Sequence, residues 1–403
     1  MPFFRVIIGD DEISEVVDVL RSGWLTTGSR VNAFQNAFAE ALNVPFALAV
    51  NSCTAALHLA VEAMNVGPGD GILVPSLTFA ATAEIVRYTG ATPVLVDCDP
   101  VTLNMDLADA ERKVHATHTG ALSHCIAEDI RVVGMIPVHV AGFMMDLDAI
   151  ETFTRSHGLW YIEDAAHAFP AAWRPSANDA WRRCGSGHSR AACFSFYANK
   201  TITTGEGGMV ITRDPEMADR MKQMSLHGLS RDAWERYSGG ASWDYRIVAP
   251  GFKYNMTDIA AALGIHQLNR AESMRLDRER CALHYGELLS GIDEIELPVE
   301  DSNRIHSRHL FPIRLRTGAL TIDRNTFVQK MKESGVGFSV HWRPLHLHPY
   351  YETQGWHPDD CPAATCEWER LISLPLFSGM TDREIDYVSG VVKTLIVRNR
   401  RGV

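Results

Sequence analysis

Across the first 260 residues, short apolar runs alternate with stretches of helical periodicity. A strand that buries both faces needs helices above and below it. The alternation therefore restricts the chain to a mostly parallel sheet covered on each side by helices. The apolar runs fall at 44–50, 72–74, 94–96, 132–138, 159–162, 193–196 and 209–211. Between the first two, Leu57, Ala60, Val61 and Met64 share one face of a helix over 54–65, which Gly67-Pro68-Gly69 stops. Further helices are expected at about 79–89, 146–157, 214–225 and 257–268.

The polar stretch 230–249, with Arg231, Arg236, Trp234, Tyr237, Trp243 and Tyr245, breaks the pattern. A loop of that length is functional or mobile. Beyond it, helices at 274–289 and 323–334 mix with strands near 309–315 and 336–341. The chain is thus expected to form a large α/β domain, 1–262, and a smaller C-terminal α/β domain, 263–403. Each is long enough for its own core.

Composition narrows the function. Lys plus Arg number 38 against 49 Asp plus Glu, a formal charge of −11, which disfavours sequence-independent binding of nucleic acid. An anionic ligand must be held by a local pocket. No run approaches the ~18–20 apolar residues of a bilayer span. The start Met1-Pro2-Phe3-Phe4-Arg5 lacks the pattern of a secretory leader, so no membrane partner and a cytoplasmic location are expected. The short basic tail 398–401 reads as a frayed end.

Eight scattered cysteines without a Cys-x-x-Cys pair point to reduced thiols. The histidine pairs 115/118, 306/309 and 346/348 lack the converging ligands of a metal site, so none is expected. No Gly-x-Gly-x-x-Gly follows a strand, which argues against a nicotinamide enzyme.

Open α/β sheets bind ligands beyond the carboxyl ends of their strands, and four such ends carry suggestive groups. Asn51-Ser52-Cys53-Thr54 opens a helix, where free N–H groups suit a phosphate and where Ser52 serves equally as an ordinary N-cap. Asp164 and His167 follow a buried strand; a carboxylate there can hold a ring nitrogen protonated, or cap a helix. Lys200 lies between the aromatic run from Phe194 to Tyr197 and the glycines 205, 207 and 208. Desolvation would leave it as the neutral amine that attacks a carbonyl, although most lysines lie at the surface. Phe79, near the fourth end, could cover a planar ring or join the core. Together these features describe a pyridoxal phosphate site.

These segments resemble the DegT/StrS family of sugar aminotransferases, a branch of the fold-type I pyridoxal phosphate enzymes. The similarity runs nearly end to end, through 22–28, 51–57, 137–142, 163–168, 194–208, 226–228 and 251–268. Gly251 to Asp258 and Asp232-Ala233-Trp234 are most similar to the branch making UDP-4-amino-4-deoxy-L-arabinose.

The resemblance implies that Lys200 forms the Schiff base with the cofactor and shuttles the proton, while Asp164 keeps the pyridine nitrogen protonated. It places Phe79 on one ring face and His167 on the other face or at the phenolic oxygen. Ser52, Cys53, Thr54 and Ser195 would hold the phosphate, Cys53 through its backbone alone. It also implies a homodimer whose partner chain reaches the phosphate from segment 251–256. Many relatives carry asparagine at 253 and arginine at 255, so which of Lys253 and Asn255 does so stays open. Thr26, Gly28, His227 and the strand and turn from Val340 to His346, with His341 and Trp342, fall where the family places its sugar nucleotide, with Arg236 on a lid.

The implied reaction moves an amino group from L-glutamate, which leaves as 2-oxoglutarate, to a nucleotide-linked keto-sugar. Pyridoxamine phosphate forms in between, and carbon 4 of a UDP- or dTDP-sugar is the expected acceptor. Transfer to carbon 3, or a non-catalytic sensor on the same fold, are the alternatives.

Overall fold

The structure is a computed structural model that describes residues 1–229 and 246–401. The apolar runs become β1 (Phe46–Val50), β2 (Asp70–Pro75), β3 (Thr92–Val96), β4 (Arg131–Met135), β5 (Trp160–Asp164), β7 (Ala191–Ser195) and β8 (Gly208–Thr212). They join in one sheet of order β1-β8-β7-β5-β4-β2-β3. A short β6 (Ala172–Trp173) pairs with β10 (Arg304–Ile305) outside it.

The pairs β3-β2, β2-β4, β4-β5 and β5-β7 are parallel, and β8 runs antiparallel to both β7 and β1. Segment 196–207 contains no helix to carry the chain back, so β8 must return as the reversed neighbour of β7. Because β1 opposes β8, it points the same way as the other strands. The carboxyl ends of β1, β2, β5 and β7 therefore open on one side, and Gly208 lies opposite both Val50 and Ser195.

Helices cover both faces. Ser52 caps Cys53–Glu62 by accepting from the Ala55 N–H, and Ala55 through Val61 are all buried. The helices expected at 79–89, 146–157, 214–225 and 257–268 appear as Ala81–Tyr88, Leu147–His157, Pro215–Met224 and Asp258–Asn269. Helices Asp10–Ser22, Ser29–Leu42 and Leu107–Thr119 extend that set, whereas Asp382–Asn399 packs in a separate C-terminal cluster.

A second hydrophobic cluster, with Tyr285, Phe311, Phe327 and Phe377 among its members, forms around β9 (Ile295–Glu296), β11 (Phe311–Leu315) and β12 (Leu371–Leu374). Leu345, Tyr351 and Trp356 pack instead with the sheet's own core. The strand expected at 336–341 is absent. Gly337 bonds to the Met1 carbonyl and Ser339 makes a single bridge to Ser373, so this backbone is satisfied by the chain's start and by β12. Nor is the basic tail frayed: Arg400 pairs with Glu294, and Arg401 bonds to the Ala319 and Leu320 carbonyls.

Candidate active site

The strand ends enclose a cavity of about 320 Å³. Eight expected residues line it: Ser52, Cys53, Thr54, Phe79, Asp164, His167, Ser195 and Lys200.

The cavity begins at the amino end of Cys53–Glu62, whose free N–H groups and positive dipole end face it through Cys53 and Thr54. A Cβ on Gly208 would stand 2.5 Å from the Ser52 carbonyl carbon and oxygen, so only glycine lets β8 pass this close to the helix start. Burial pushes the Cys53 thiol well above its ordinary range, with the Asp164 charge adding to the rise. The thiol is therefore a neutral wall.

Asp164 ends β5 and is buried. Its Oδ2 accepts from Thr82 Oγ1 at 2.8 Å, and its Oδ1 from the Ala166 N–H at 3.1 Å. Burial raises its pKa, while those two bonds and the Lys200 charge pull against the rise. This carboxylate gains from any cationic group brought into the cavity.

Lys200 stands at the end of a turn in which its N–H bonds to the Tyr197 carbonyl. The loop after it closes on Phe196, whose carbonyl accepts from the Thr203 hydroxyl and the Thr204 N–H. Gly205 completes it at φ +80°, where a side chain would be strained. Burial lowers the Lys200 pKa to about 8, with Arg278 adding to the fall and Asp164 opposing it. A usable share of the amine is thus uncharged near neutrality.

Three histidines surround that amine. His309 Nε2 lies 3.3 Å from Lys200 Nζ, and the His309 and His167 ring centres are 4.1 Å apart. His167 also stacks on Trp342 at 5.1 Å, and its carbonyl accepts from Ser307 Oγ at 2.5 Å. Burial holds His167 and His309 well below the ordinary imidazole range and His341 at about 4, with Lys200 lowering each further. His167 Nδ1 and His309 Nδ1 are buried without a hydrogen-bond partner among the described residues.

His341 and Trp342, from the 340–346 segment expected at the sugar nucleotide, line this cavity beside the cofactor residues, and so does His309, which the sequence alone does not mark as a site residue. Thr82, Tyr197, Asn199 and Glu206 are further lining residues it passes over. The nearest sequence signal for Thr82 is its helical spacing four residues after Thr78, whose hydroxyl lies 2.9 Å away.

The other expected residues lie outside the cavity. Asn255 Nδ2 bonds to Thr27 Oγ1 at 2.8 Å, and Lys253 Nζ to Asn255 Oδ1 at 2.5 Å. The Thr26 carbonyl accepts from the Asp258 N–H, and the Gly28 N–H donates to Asp258 Oδ1. His227 is exposed at φ 59° with its N–H on the Phe252 carbonyl. His346, expected against the sugar nucleotide, is a core residue instead. Its Nδ1 lies 2.5 Å from Ser76 Oγ and its Nε2 2.8 Å from Thr365 Oγ1, so both nitrogens are engaged. Arg236 and the rest of 230–245 lie outside the described residues.

His139, Glu163 and Cys184 cluster closely enough to suggest a metal site. Their ligand atoms are engaged, however. Glu163 accepts from His139 Nε2 and from the Gly185 N–H, and His139 Nδ1 accepts from the Met145 N–H.

A helix-start cradle, a buried carboxylate without a cation and a desolvated amine in one cavity fit a phosphorylated pyridine aldehyde. They define the chain as a fold-type I pyridoxal phosphate enzyme. The pattern of the DegT/DnrJ/EryC1/StrS aminotransferase family matches residues 6–393, and the chain belongs to that family. It is 41% identical to protein MJ1066 of Methanocaldococcus jannaschii, over 99% of this chain and 98% of that one. It is 39% identical to the spore coat polysaccharide biosynthesis protein SpsC of Bacillus subtilis, over 98% and 97%.

Among solved structures, Spr1654 of Streptococcus pneumoniae in its PMP form superposes with a TM-score of 0.87 at 31% identity, over 99% of both chains. Its PLP form matches at 0.86. The protein is a pyridoxal-phosphate-dependent sugar aminotransferase. Among the described residues no helix is long and apolar enough to cross a membrane.

Proposed function

We propose that the protein transfers an amino group from L-glutamate to carbon 4 of a UDP- or dTDP-linked keto-sugar, in two half-reactions at one site. The observation that carries the reading is that Lys200 and Asp164 face one cavity whose wall includes a helix start. Carbon 4 and the nucleotide rest on the likeness of 251–258 to the arabinose branch. A role in polysaccharide formation accords with the name of the Bacillus relative, and the reading places that role in the cytoplasm.

When bound, pyridoxal phosphate supplies an electron sink. The chain's residues then divide the work. Ser52, Thr54, Ser195 and the Cys53 N–H hold the phosphate, and Asp164 keeps a proton on the ring nitrogen. Phe79 would cover one face of the ring, and His167 would lie against the other face or at the phenolic oxygen. Lys200 carries a proton on and off the reacting carbon, and its neutral histidine neighbours do not compete for that proton near neutrality.

The reading includes a homodimer, in which Lys253 or Asn255 of one chain serves the other's phosphate. Phe79 and Tyr88 remain 60% and 57% exposed, and Trp24 and Leu25 are exposed as well, which supports an apolar surface awaiting cover. Thr26, Gly28, His227 and Arg236 would then meet the sugar nucleotide. The second hydrophobic cluster, drawn from Cys281 to Ile396, supports a C-terminal unit within the proposed 263–403, although Leu345, Tyr351 and Trp356 pack with the first cluster and position 262 lies within helix Asp258–Asn269.

The test is the absorption spectrum of protein purified with pyridoxal phosphate. L-glutamate should bleach the yellow band, and a UDP- or dTDP-4-keto-sugar should restore it. A 3-keto-sugar restoring it instead would move the reaction to carbon 3. A yellow protein indifferent to every amino donor would favour the sensor reading.

A further inference from the structure

Helix Ala271–Leu289 buries Met274, Arg278, Cys281, Tyr285 and Leu289, a stripe at helical spacing with an arginine where an apolar residue would pack. Arg278 is only 3% exposed, and among the described residues it has no carboxylate ion-pair partner. Its Nη1 instead donates to three carbonyl oxygens, of Arg308 at 3.2 Å, His309 at 3.4 Å and Leu376 at 3.0 Å, and its Nε has no partner. Arg278 and Lys200 also line one small cavity of about 20 Å³, together with Gln267 and Ser378. A buried charge with no counter-ion is costly, so it calls for an explanation beyond packing.

We propose that Arg278 is a positioning residue for Lys200: it seats the His309 ring against the amine by holding that backbone, and its unneutralised charge disfavours protonation of the amine. The inference rests on the reading of Lys200 as the reactive amine. The two carbonyls at 308–309 precede β11 and fix where the His309 side chain leaves the backbone, 3.3 Å from Lys200 Nζ. Other charges face the same amine. Asp164 favours its protonated form, and Arg278 alone among the charged neighbours opposes it. Cys53 stays a neutral thiol, His167 and His341 are held neutral by burial, and Glu206 lies elsewhere on the cavity wall. Removing Arg278 therefore leaves Asp164 unopposed.

The test is competitive labelling of the apoprotein with trace acetic anhydride across pH 6–11, with the Lys200 peptide read by mass spectrometry. Wild-type Lys200 is expected to titrate near 8. Arg278→Met and Arg278→Gln should move the titration up by about one pH unit, roughly a tenfold loss of uncharged amine at neutrality. Arg278→Lys, which keeps the charge but not the three-carbonyl grip, should fall between. Arg278→Gln retains donors for the carbonyls and replaces Arg278→Met should that variant fail to fold by circular dichroism. A Lys200 titration unchanged in the folded neutral variant overturns the proposal, as does an Arg278→Lys shift as large as that of Arg278→Gln. Because the labelling needs no cofactor, this failure is separate from that of the Lys200 reading, which a wild-type protein colourless with pyridoxal phosphate would bring down.

Discussion

The Thr82 hydroxyl donates to Asp164 Oδ2 at 2.8 Å and stands 2.9 Å from the Thr78 hydroxyl, so a chain of two threonines supports the buried carboxylate. Burial raises the Asp164 pKa, and the Thr82 bond works against it. Thr82→Val keeps the shape and removes the donor. A bond to a charged group is worth about 1.5–3 kcal/mol, so kcat should fall by roughly tenfold or more while cofactor stays bound. Thr82→Ser should recover most of the loss. Steady-state kinetics with the sugar acceptor decide it, and an unchanged kcat in Thr82→Val would remove Thr82 from the support of Asp164.

Lys200 links function to stability. Its folded pKa, about 8, lies below its ordinary value of 10.5, so the unfolded chain binds that proton more readily. The stabilisation is full above the ordinary lysine range and is lost as pH falls through about 8. At pH 7 the apoprotein therefore carries a penalty of about 3 kcal/mol from this one group. Lys200→Met should abolish transfer yet raise the apoprotein's melting temperature at pH 7, with little gain at pH 10.5. Melting curves at the two values test the sign, and a destabilised variant at pH 7 would contradict it.

The parts of this arrangement legible in the sequence are those carried by local chain. Asp164 and Lys200 each follow a both-face apolar run, and one parallel sheet with a common open end brings such run ends together. Ser52 was legible because a helix start announces itself. His309 was not, since it reaches the cavity from a part of the chain more than a hundred residues beyond Lys200 and nothing in its neighbours' spacing encodes that contact, whereas His341 and Trp342 lay in a segment expected at the sugar nucleotide and line the cofactor cavity. His346 misled for a related reason. A histidine among strand-like residues looks like a site until Ser76 and Thr365, distant in sequence, claim both nitrogens. The missing strand at 336–341 shows the same limit, because its backbone is satisfied by the chain's start and by β12, neither of them near it in sequence.

Cys53 sits in the cradle, but its burial and the Asp164 charge hold the thiol well above its ordinary range. A thiol that stays protonated is neither nucleophile nor anion. Cys53→Ala should therefore retain transfer within a few-fold of wild type. Iodoacetamide should leave Cys53 unlabelled at pH 7.5 while it marks exposed Cys366. Peptide mapping reads both residues at once, and rapid loss of activity on Cys53 alkylation would mean that the thiolate forms.

Gly208 tests whether the cradle depends on backbone approach. It pairs with Val50 on one side and Ser195 on the other, and an added Cβ would meet the Ser52 carbonyl group at 2.5 Å and the Cys53 nitrogen at 2.6 Å. All three atoms are backbone, so no rotamer change relieves the contact. Either β8 slides away from the sheet or the helix start is pushed back, and both displace the N–H groups that face the cavity. Gly208→Ala should weaken pyridoxal phosphate binding by at least about tenfold and cost roughly 1–3 kcal/mol of stability. Gly205→Ala is the contrast: a Cβ there meets open space, so the strain of φ +80° should cost stability with a smaller effect on cofactor. Fluorescence titration of the two apoproteins with pyridoxal phosphate separates the cases, and equal affinities would place the phosphate away from the Ser52 turn.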